Sequence, residues 1–285
     1  MSSPSPSSAK VHPQSHVGFG TGKIGLYDKV RPGYDSAVLS DFRKAVSKEG
    51  DLNIVEIGCG SGIFTRALLS HPDWSSSLSS IKCVDPSEAM RAVFAEHTDL
   101  TDPRVSLADG TFDETGVSDG WADAIVASTS FNWCLHHEES VKEFARILKP
   151  DGVIYLLWNL QDRWNFAWVK QVDTICQPSA TYWETEFDKW RNVFTVPSYS
   201  TYFQPPEEKT ISSTESVTLE NFTLHAFTRS AVAILPDEGK EKVREGIRDI
   251  VQRGEDLKWT DKEKGLIEVP YSNLIVVFRR KPATQ

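Results

Sequence analysis

Long apolar runs are missing from this chain of 285 residues. No stretch approaches the roughly twenty consecutive apolar residues that a membrane-spanning helix needs, and the N-terminus lacks the basic-then-apolar order of a signal peptide. The opening sequence, MSSPSPSSAK, is rich in serine and proline and cannot build a packed core, which predicts a disordered tail over residues 1–20. From these absences we expect a cytoplasmic protein that does not bind membranes.

Dense basic runs and metal-binding cysteine spacings are also missing. The 31 lysines and arginines are outnumbered by 40 aspartates and glutamates, and the net charge of −9 argues against a nucleic-acid partner. The cysteines show no CxxC spacing and fall within or beside apolar segments, so we expect reduced, buried thiols and no metal site. They are Cys59, Cys83, Cys134 and Cys176.

The most informative segment is LNIVEIGCGSG, residues 52–62. Its apolar, β-branched half contains Glu56 near its end and is typical of a strand buried in a parallel sheet. Gly58, Gly60 and Gly62 then predict a tight turn, and the following IFTRALLS suits a helix whose N-terminus would offer N–H groups to an anion. A strand, a glycine turn and a helix in this order predict a nucleotide-cofactor site.

Acidic residues follow two further strand-like runs. IKCVD ends in Asp85 and is followed by Pro86, whereas VSLAD ends in Asp109 and is followed by Gly110. Open α/β sheets bind ligands at the carboxyl ends of their strands, so Asp85 is expected to bind ribose hydroxyls and Asp109 an adenine amino group. A nicotinamide fingerprint would need glycine or alanine at position 63, where this chain has isoleucine. A nicotinamide-dependent oxidoreductase is therefore the weaker interpretation.

Strand-like runs alternate with helical patterns through the first part of the chain. This alternation predicts a parallel sheet with helices on both faces. The runs lie at residues 52–57, 81–84, 105–108, 124–127 and 153–158. The alternation then breaks, and about fifty residues follow with two helical patterns and several tryptophans. Further along, a helix is predicted near residues 238–253 and a last strand over 271–278.

Seven ordered motifs make the chain similar to a known family. LYDKVRPGYD, VEIGCGSG, VDPSEAM, ADG, ASTSFNW, RILKPDGVIYLLW and VPYSNLIVVFRRK resemble motifs of the class I S-adenosylmethionine-dependent methyltransferases, in particular the branch similar to trans-aconitate methyltransferases and their fungal small-molecule relatives. The resemblance implies an α/β, Rossmann-like fold with a seven-stranded, mostly parallel sheet, helices on both faces and a helical lid inserted after the fifth strand. It implies a methyltransferase domain over residues 21–285, with 160–205 as the lid over the acceptor site. An antiparallel pair, residues 208–213 with 271–279, would close the sheet.

The resemblance also implies roles for single residues. S-adenosylmethionine would be the cofactor, held at the strand ends and by an arginine paired with its methionyl carboxylate. The cofactor-binding residues would be Glu56, Gly58, Gly60, Gly62, Asp85, Pro86, Asp109, Gly110, Ser128 and Arg31. Three residues would serve catalysis: Trp133 as a wall of the acceptor pocket, His136 as a titratable group near the fourth strand's end, and Tyr27 in the segment that covers the cofactor in relatives.

The chemistry expected of such a site is methyl transfer by in-line displacement from a sulfonium, which needs alignment and exclusion of water rather than a metal or a triad. The expected partner is a small organic acceptor methylated at oxygen, either a carboxylate or a hydroxyl. Methylation of sulfur, nitrogen or carbon stays open, as does a protein that binds the cofactor without catalysis. The sequence does not indicate the oligomeric state.

Overall fold

The computed structural model of the protein describes residues 28–177, 179 and 181–282. Within these residues, eight strands form one sheet in the order β3-β2-β1-β4-β5-β8-β6, and β7 pairs with β8 beside this path. The strands are β1 (Leu52–Ile57), β2 (Leu78–Val84), β3 (Val105–Ala108), β4 (Ala122–Ser128), β5 (Leu148–Gln161), β6 (Glu207–Thr218), β7 (Lys258–Asp261) and β8 (Leu266–Arg279). The first five are parallel, and β8 runs antiparallel to its neighbours.

Helices connect the strands and cover the sheet. They are α1 (Ser36–Ala45), α2 (Ile63–Ser70), α3 (Pro72–Ser75), α4 (Glu88–His97), α5 (His137–Ile147), α6 (Ala167–Cys176), α7 (Tyr182–Thr185), α8 (Pro197–Tyr202), α9 (Leu219–Phe227), α10 (Ser230–Ala233) and α11 (Asp237–Arg253). Two 3₁₀ helices are also present, Phe131–Trp133 and Phe187–Thr195. None of the helices in the described part of the chain is long and apolar enough to cross a membrane.

Side chains alternate along the strands and so build a core on each face of the sheet. On β5, Tyr155 and Leu157 pack with α1 and its neighbours on one face, whereas Leu156 and Trp158 pack with α5 and the second 3₁₀ helix on the other. A third core joins α6, α9, α10 and α11 to the first half of β8. The segments that follow β5 therefore carry a hydrophobic core of their own beside the sheet.

The fold class predicted from the sequence is confirmed. The antiparallel pair is also confirmed, because Glu208 lies opposite Val276 and Ser213 opposite Tyr271. The predicted sheet had seven strands, and the short β7 adds an eighth that has no apolar alternation to mark it. All four cysteines are free and buried, as predicted.

Candidate active site

The glycine turn after β1 has the positive φ angles that its sequence predicts, +74° at Gly58, +55° at Gly60 and +86° at Gly62. The three glycines nevertheless face different surroundings. A Cβ atom on Gly58 would lie 2.5 Å from Cβ of Ser130, and one on Gly62 would lie 2.8 Å from the ring of Phe94. A Cβ atom on Gly60 would meet nothing within 4 Å. Only Gly60 therefore borders open space, while the other two allow close packing.

Asp85, which directly follows β2, holds this turn in place. Its carboxylate accepts hydrogen bonds from the backbone N–H of Gly60 at 2.9 Å and of Ser87 at 2.8 Å. Burial raises the pKa of Asp85, and these two hydrogen bonds act in the opposite direction by favouring the carboxylate. The side chain thus links the ends of β1 and β2 and leaves lone pairs for a ligand.

Glu56 is the most strongly perturbed carboxyl group beside the turn. It is 1 % exposed and accepts a hydrogen bond from the Thr65 hydroxyl. Burial raises its pKa to about 8, and the nearby Asp85 adds to the shift. A buried carboxyl group with a pKa near neutrality is typical of a binding or catalytic site.

A first cavity opens at the carboxyl ends of β1, β2 and β4. Nine predicted site residues line it: Glu56, Gly58, Gly60, Asp85, Pro86, Gly110, Ser128, Trp133 and His136. Three further lining residues were not predicted from the sequence as site residues: Met90, Phe112 and Asp113. Phe112 and Asp113 directly follow the ADG motif, and this adjacency was the available signal.

Four predicted residues are not among the cavity's lining. Gly62 packs against α4 instead. Asp109 pairs with Arg91 at 3.1 Å, and its side chain is 52 % exposed, so the predicted role toward adenine is not supported by its position. Arg31 lines a second cavity rather than this one. Tyr27 lies outside the described residues.

His136 lies between the end of β4 and α5, near the strand end as the sequence predicts. It lines the first cavity with its Nδ1 3.4 Å from Oδ2 of Asp113, whose other oxygen accepts a hydrogen bond from Thr111. Asp113 and Thr111 belong to the loop after β3 and line the first cavity but not the second. His136 is not among the second cavity's lining residues.

The second cavity adjoins the first, and Thr129 and Trp133 line both. Thr129 directly follows β4 and has a φ of +53°, a strained conformation for a β-branched residue. Its hydroxyl accepts a hydrogen bond from the backbone N–H of Asn159 at 3.4 Å. The backbone strain thus lies at the junction of the two cavities.

Polar residues from distant segments converge in the second cavity. Asp173 on α6 is 3 % exposed and binds Arg229 at 2.8 Å, Arg163 at 2.8 Å and the indole N–H of Trp183 at 2.6 Å. Arg229 also donates to the Gln161 side-chain carbonyl at 2.6 Å. Asp173 therefore fixes an arginine and an indole that both line the cavity.

His225 on α9 lies in the same cavity as a neutral imidazole. Burial lowers its pKa well below the usual value, and Arg31 and Arg229 lower it further. Because the carbonyl of Gln161 is engaged by Arg229, the amide N–H of Gln161 donates to Nδ1 of His225 at 3.3 Å. This bond assigns the proton of His225 to Nε2.

Comparison with known proteins places this geometry in a family. A family described as "Methyltransferase domain" matches residues 55–156, which include the glycine turn and the ends of β1, β2 and β4. An uncharacterized methyltransferase of Schizosaccharomyces pombe is 26 % identical over 252 residues, or 88 % of this chain and 94 % of the relative.

The chain is an S-adenosylmethionine-dependent methyltransferase with a methyltransferase domain over residues 55–156.

Two further relatives extend the comparison. A malonyl-[acyl-carrier protein] O-methyltransferase of Halalkalibacterium halodurans is 31 % identical over 119 residues, covering 41 % of this methyltransferase and 42 % of the relative. A solved structure from Anaeromyxobacter dehalogenans shares the fold with a TM-score of 0.59 and 18 % identity, covering 88 % of this chain and 99 % of that one.

The first cavity of the methyltransferase fits its cofactor. Gly60 leaves the turn open where a side chain would fill it, and Ser61 Oγ is buried with no hydrogen-bond partner among the described residues. Glu56 and Asp85 supply acceptors for amino and hydroxyl groups, while Phe112 supplies an apolar wall. A polar turn with two acidic neighbours and an apolar side suits S-adenosylmethionine, which supplies an electrophilic methyl group.

Proposed function

We propose that this methyltransferase methylates an oxygen atom of a small organic anion bound in the second cavity. The observation that carries the proposal is the junction at Thr129 and Trp133, where the cavity that fits the cofactor meets a cavity rich in hydrogen-bond donors. An in-line displacement needs the acceptor and the methyl donor on opposite sides of such a junction.

The charge of the second cavity favours an anionic acceptor. Arg31 and Arg229 line it, and Asp173 is the one carboxylate among its lining residues. Because His225 is neutral, these groups sum to one positive charge. A buried site with a positive excess stabilises an anionic ligand, and guanidinium groups bind carboxylates in a bidentate manner.

The transfer step requires little from the protein. The acceptor oxygen forms a bond with the methyl carbon while the carbon–sulfur bond breaks, and sulfur keeps the electron pair of that bond. A carboxylate acceptor needs no base, because it is already ionised at neutral pH. A hydroxyl acceptor must also release its proton, either to water or to a side chain.

The predicted catalytic residues take the following places in this proposal. Trp133 forms a shared wall and orients the acceptor toward the methyl group. His136 remains a proposed base, although its position beside Asp113 in the first cavity gives it at most an indirect route to an acceptor in the second. The role proposed for Tyr27 rests on the sequence alone.

Residues 160–205 are proposed to act as the lid. Trp183 and Phe187, both from this insertion, line the second cavity. From the opposite side, Arg31 donates to the backbone carbonyl of Thr228 at 3.1 Å, and Asn159 donates to the carbonyl of Gly33 at 2.9 Å. The insertion and the segment before α1 would thus exclude water from the junction together.

The test is a product assay with S-adenosylmethionine and a panel of small organic acids, with S-adenosylhomocysteine formation and the mass of the acceptor measured in parallel. We expect a mass gain of one methyl group on an acid. The rate would be independent of pH above about 6 for a carboxylate acceptor, and would rise with pH for a hydroxyl. Turnover on neutral amines or thiols, but on no acid, would contradict the proposal in favour of nitrogen or sulfur methylation.

The methylated atom, the family branch and the cellular location are also part of the proposal. The name of the malonyl-[acyl-carrier protein] O-methyltransferase supports oxygen as the methylated atom, and membership of the trans-aconitate methyltransferase-like branch is proposed from the sequence motifs. The free, buried cysteines accord with a reducing, cytoplasmic location.

A further inference from the structure

The second cavity has two ends of different chemistry, and the ends are separated along β5. Asn159 lies at the junction with the first cavity, where its backbone N–H donates to Thr129. Gln161 lies two residues further along the strand and binds both Arg229 and His225. Two residues of an extended strand span about 6–7 Å. The cationic end therefore lies roughly 6–7 Å along β5 from the junction where the methyl group would arrive.

The cationic end offers donors. Arg229 and Arg31 bring guanidinium N–H groups, and the neutral His225 carries its proton on Nε2. An anionic group held there would lie away from the junction. It would serve as an anchor and would not be the methylated atom.

Aromatic side chains also line the second cavity. The ring of Trp183 lies 4.9 Å from that of Phe187 and 5.6 Å from that of Tyr182, and all three residues line the cavity. Trp133 adds an aromatic wall at the junction. Such clusters favour a planar ring as a partner, because aromatic ring pairs attract one another beyond the effect of their buried area.

The junction offers a hydrogen-bond acceptor. Asn159 Oδ1 is buried and has no hydrogen-bond partner among the described residues, while the amide nitrogen of Asn159 is engaged by the carbonyl of Gly33. An amide oxygen in this position accepts a hydrogen bond from a hydroxyl group.

We propose that the acceptor is a hydroxylated aromatic acid, with its carboxylate bound at the Arg31–Arg229–His225 end, its ring against Trp183 and Phe187, and its hydroxyl at Asn159. This inference rests on the proposed function and narrows its substrate class. It selects the hydroxyl over the carboxylate as the methylated oxygen: the bond between this oxygen and the methyl carbon forms, the carbon–sulfur bond breaks with its electron pair left on sulfur, and the hydroxyl proton passes to water.

The experiment measures binding to the protein saturated with S-adenosylhomocysteine, so it requires no turnover. The probes are 4-hydroxybenzoate, its neutral methyl ester, and 4-hydroxycyclohexanecarboxylate, which keeps the charge and loses the planar ring. We expect 4-hydroxybenzoate to bind at least about tenfold more tightly than the ester and about threefold to tenfold more tightly than the saturated acid. Equal binding of either analogue would overturn the assignment of the corresponding end or wall.

Substitutions of cavity residues test where 4-hydroxybenzoate binds. Trp183→Leu should weaken 4-hydroxybenzoate binding about threefold to tenfold, whereas Trp183→Phe, which keeps a ring, should restore most of it. Trp259→Leu, a change of a partly exposed tryptophan on β7, should have no effect.

A second substitution tests the cationic end. Arg31→Gln should weaken the binding of 4-hydroxybenzoate but not that of its ester, with Arg248→Gln at an exposed position as its control. Unchanged affinity in both Trp183→Leu and Arg31→Gln would overturn the proposal.

Failure of the inference is distinguishable from failure of the proposed function. If S-adenosylhomocysteine binds and acids are methylated, but no hydroxylated aromatic acid binds, the inference alone is wrong. If S-adenosylhomocysteine does not bind at all, the proposed function fails as well.

Discussion

The two cavities differ in the way the chain builds them. The first is lined mostly by a few short stretches, residues 56–61, 85–87, 110–113, 128–130 and 133–136, most of which lie at or just after the ends of parallel strands. The second draws its walls from positions as far apart as Arg31, Trp133, Asp173 and Arg229. The chemistry common to methyltransferases thus lies in short loops fixed by the sheet, whereas the acceptor site depends on packing between distant segments.

The largest expected effect is a loss of stability when Asp173, which lines the second cavity, is replaced. Asp173→Ala should lower the free energy of unfolding by about 3–5 kcal/mol, because Arg163 and Arg229 would lose their buried carboxylate. Chemical denaturation measures this loss. Asp261→Ala, which removes a carboxylate paired with the exposed Lys264, is the control and should cost less than about 1 kcal/mol. At a temperature where Asp173→Ala is folded, its affinity for S-adenosylhomocysteine should be normal; a large loss would mean that the two cavities are not independent.

Gly58 and Gly60 provide the next comparison, within the first cavity. Gly58→Ala should lower the free energy of unfolding by about 2–4 kcal/mol, because the new methyl group overlaps Ser130 at 2.5 Å in addition to its positive φ. Gly60→Ala has space and should cost only the backbone term of about 1–2 kcal/mol. Urea unfolding of both variants checks the order. Equal losses would contradict the packing assigned to Gly58.

A third comparison concerns Asp85 and Asp109, which both follow strand-like runs and were both predicted to bind the cofactor. Asp85→Asn should weaken S-adenosylhomocysteine binding by about 1–3 kcal/mol, since the buried carboxylate fixes Gly60 and lines the cavity. Asp109→Asn, at an exposed pair with Arg91, should change binding by less than about 1 kcal/mol. Calorimetric titration measures both affinities. A larger effect of Asp109→Asn would restore its predicted contact with adenine.

A separate prediction concerns pH, because the free energy of unfolding should depend on it through Glu56. The pKa of Glu56 is raised from 4.5 to about 8 in the folded, ligand-free protein, so the folded state keeps a proton that the unfolded chain loses. The contribution to stability is therefore fully present below pH 4.5 and decreases as pH rises toward about 8, by at most about 1.4 kcal/mol per pH unit. Glu56→Gln should flatten this slope in denaturation curves recorded between pH 5 and 8. An unchanged slope would show that Glu56 ionises normally.

The difference between the cavities also explains what could be predicted from the sequence. The parallel strands, the glycine turn and Asp85 are encoded by local apolar runs and by the residues directly after them, so their proximity follows from the sheet alone. Gly62 was assigned to the cofactor because glycines of one turn look alike in sequence, although its neighbour Phe94 belongs to another helix. No local pattern joins Asp173 to Arg229, or His225 to Gln161, because these contacts depend on how α6, α9 and α10 pack.

For the tryptophans after β5, the sequence likewise does not show which pack in a core and which line a cavity. The predicted lid, residues 160–205, contains four tryptophans, of which Trp168 and Trp190 are fully buried in hydrophobic cores. Of the four, Trp183 is the one that lines the second cavity among the described residues. Composition indicates that aromatic residues gather there. It does not indicate which of them face a ligand.

The most direct test of the central claim is a calorimetric titration of the wild-type protein with S-adenosylhomocysteine, with NAD as the control ligand. We predict micromolar binding of S-adenosylhomocysteine and none of NAD, because the first cavity offers two acidic acceptors and an open glycine turn that has isoleucine where a nicotinamide fingerprint needs a small residue. Preferential binding of NAD, or no binding of S-adenosylhomocysteine, would contradict the account.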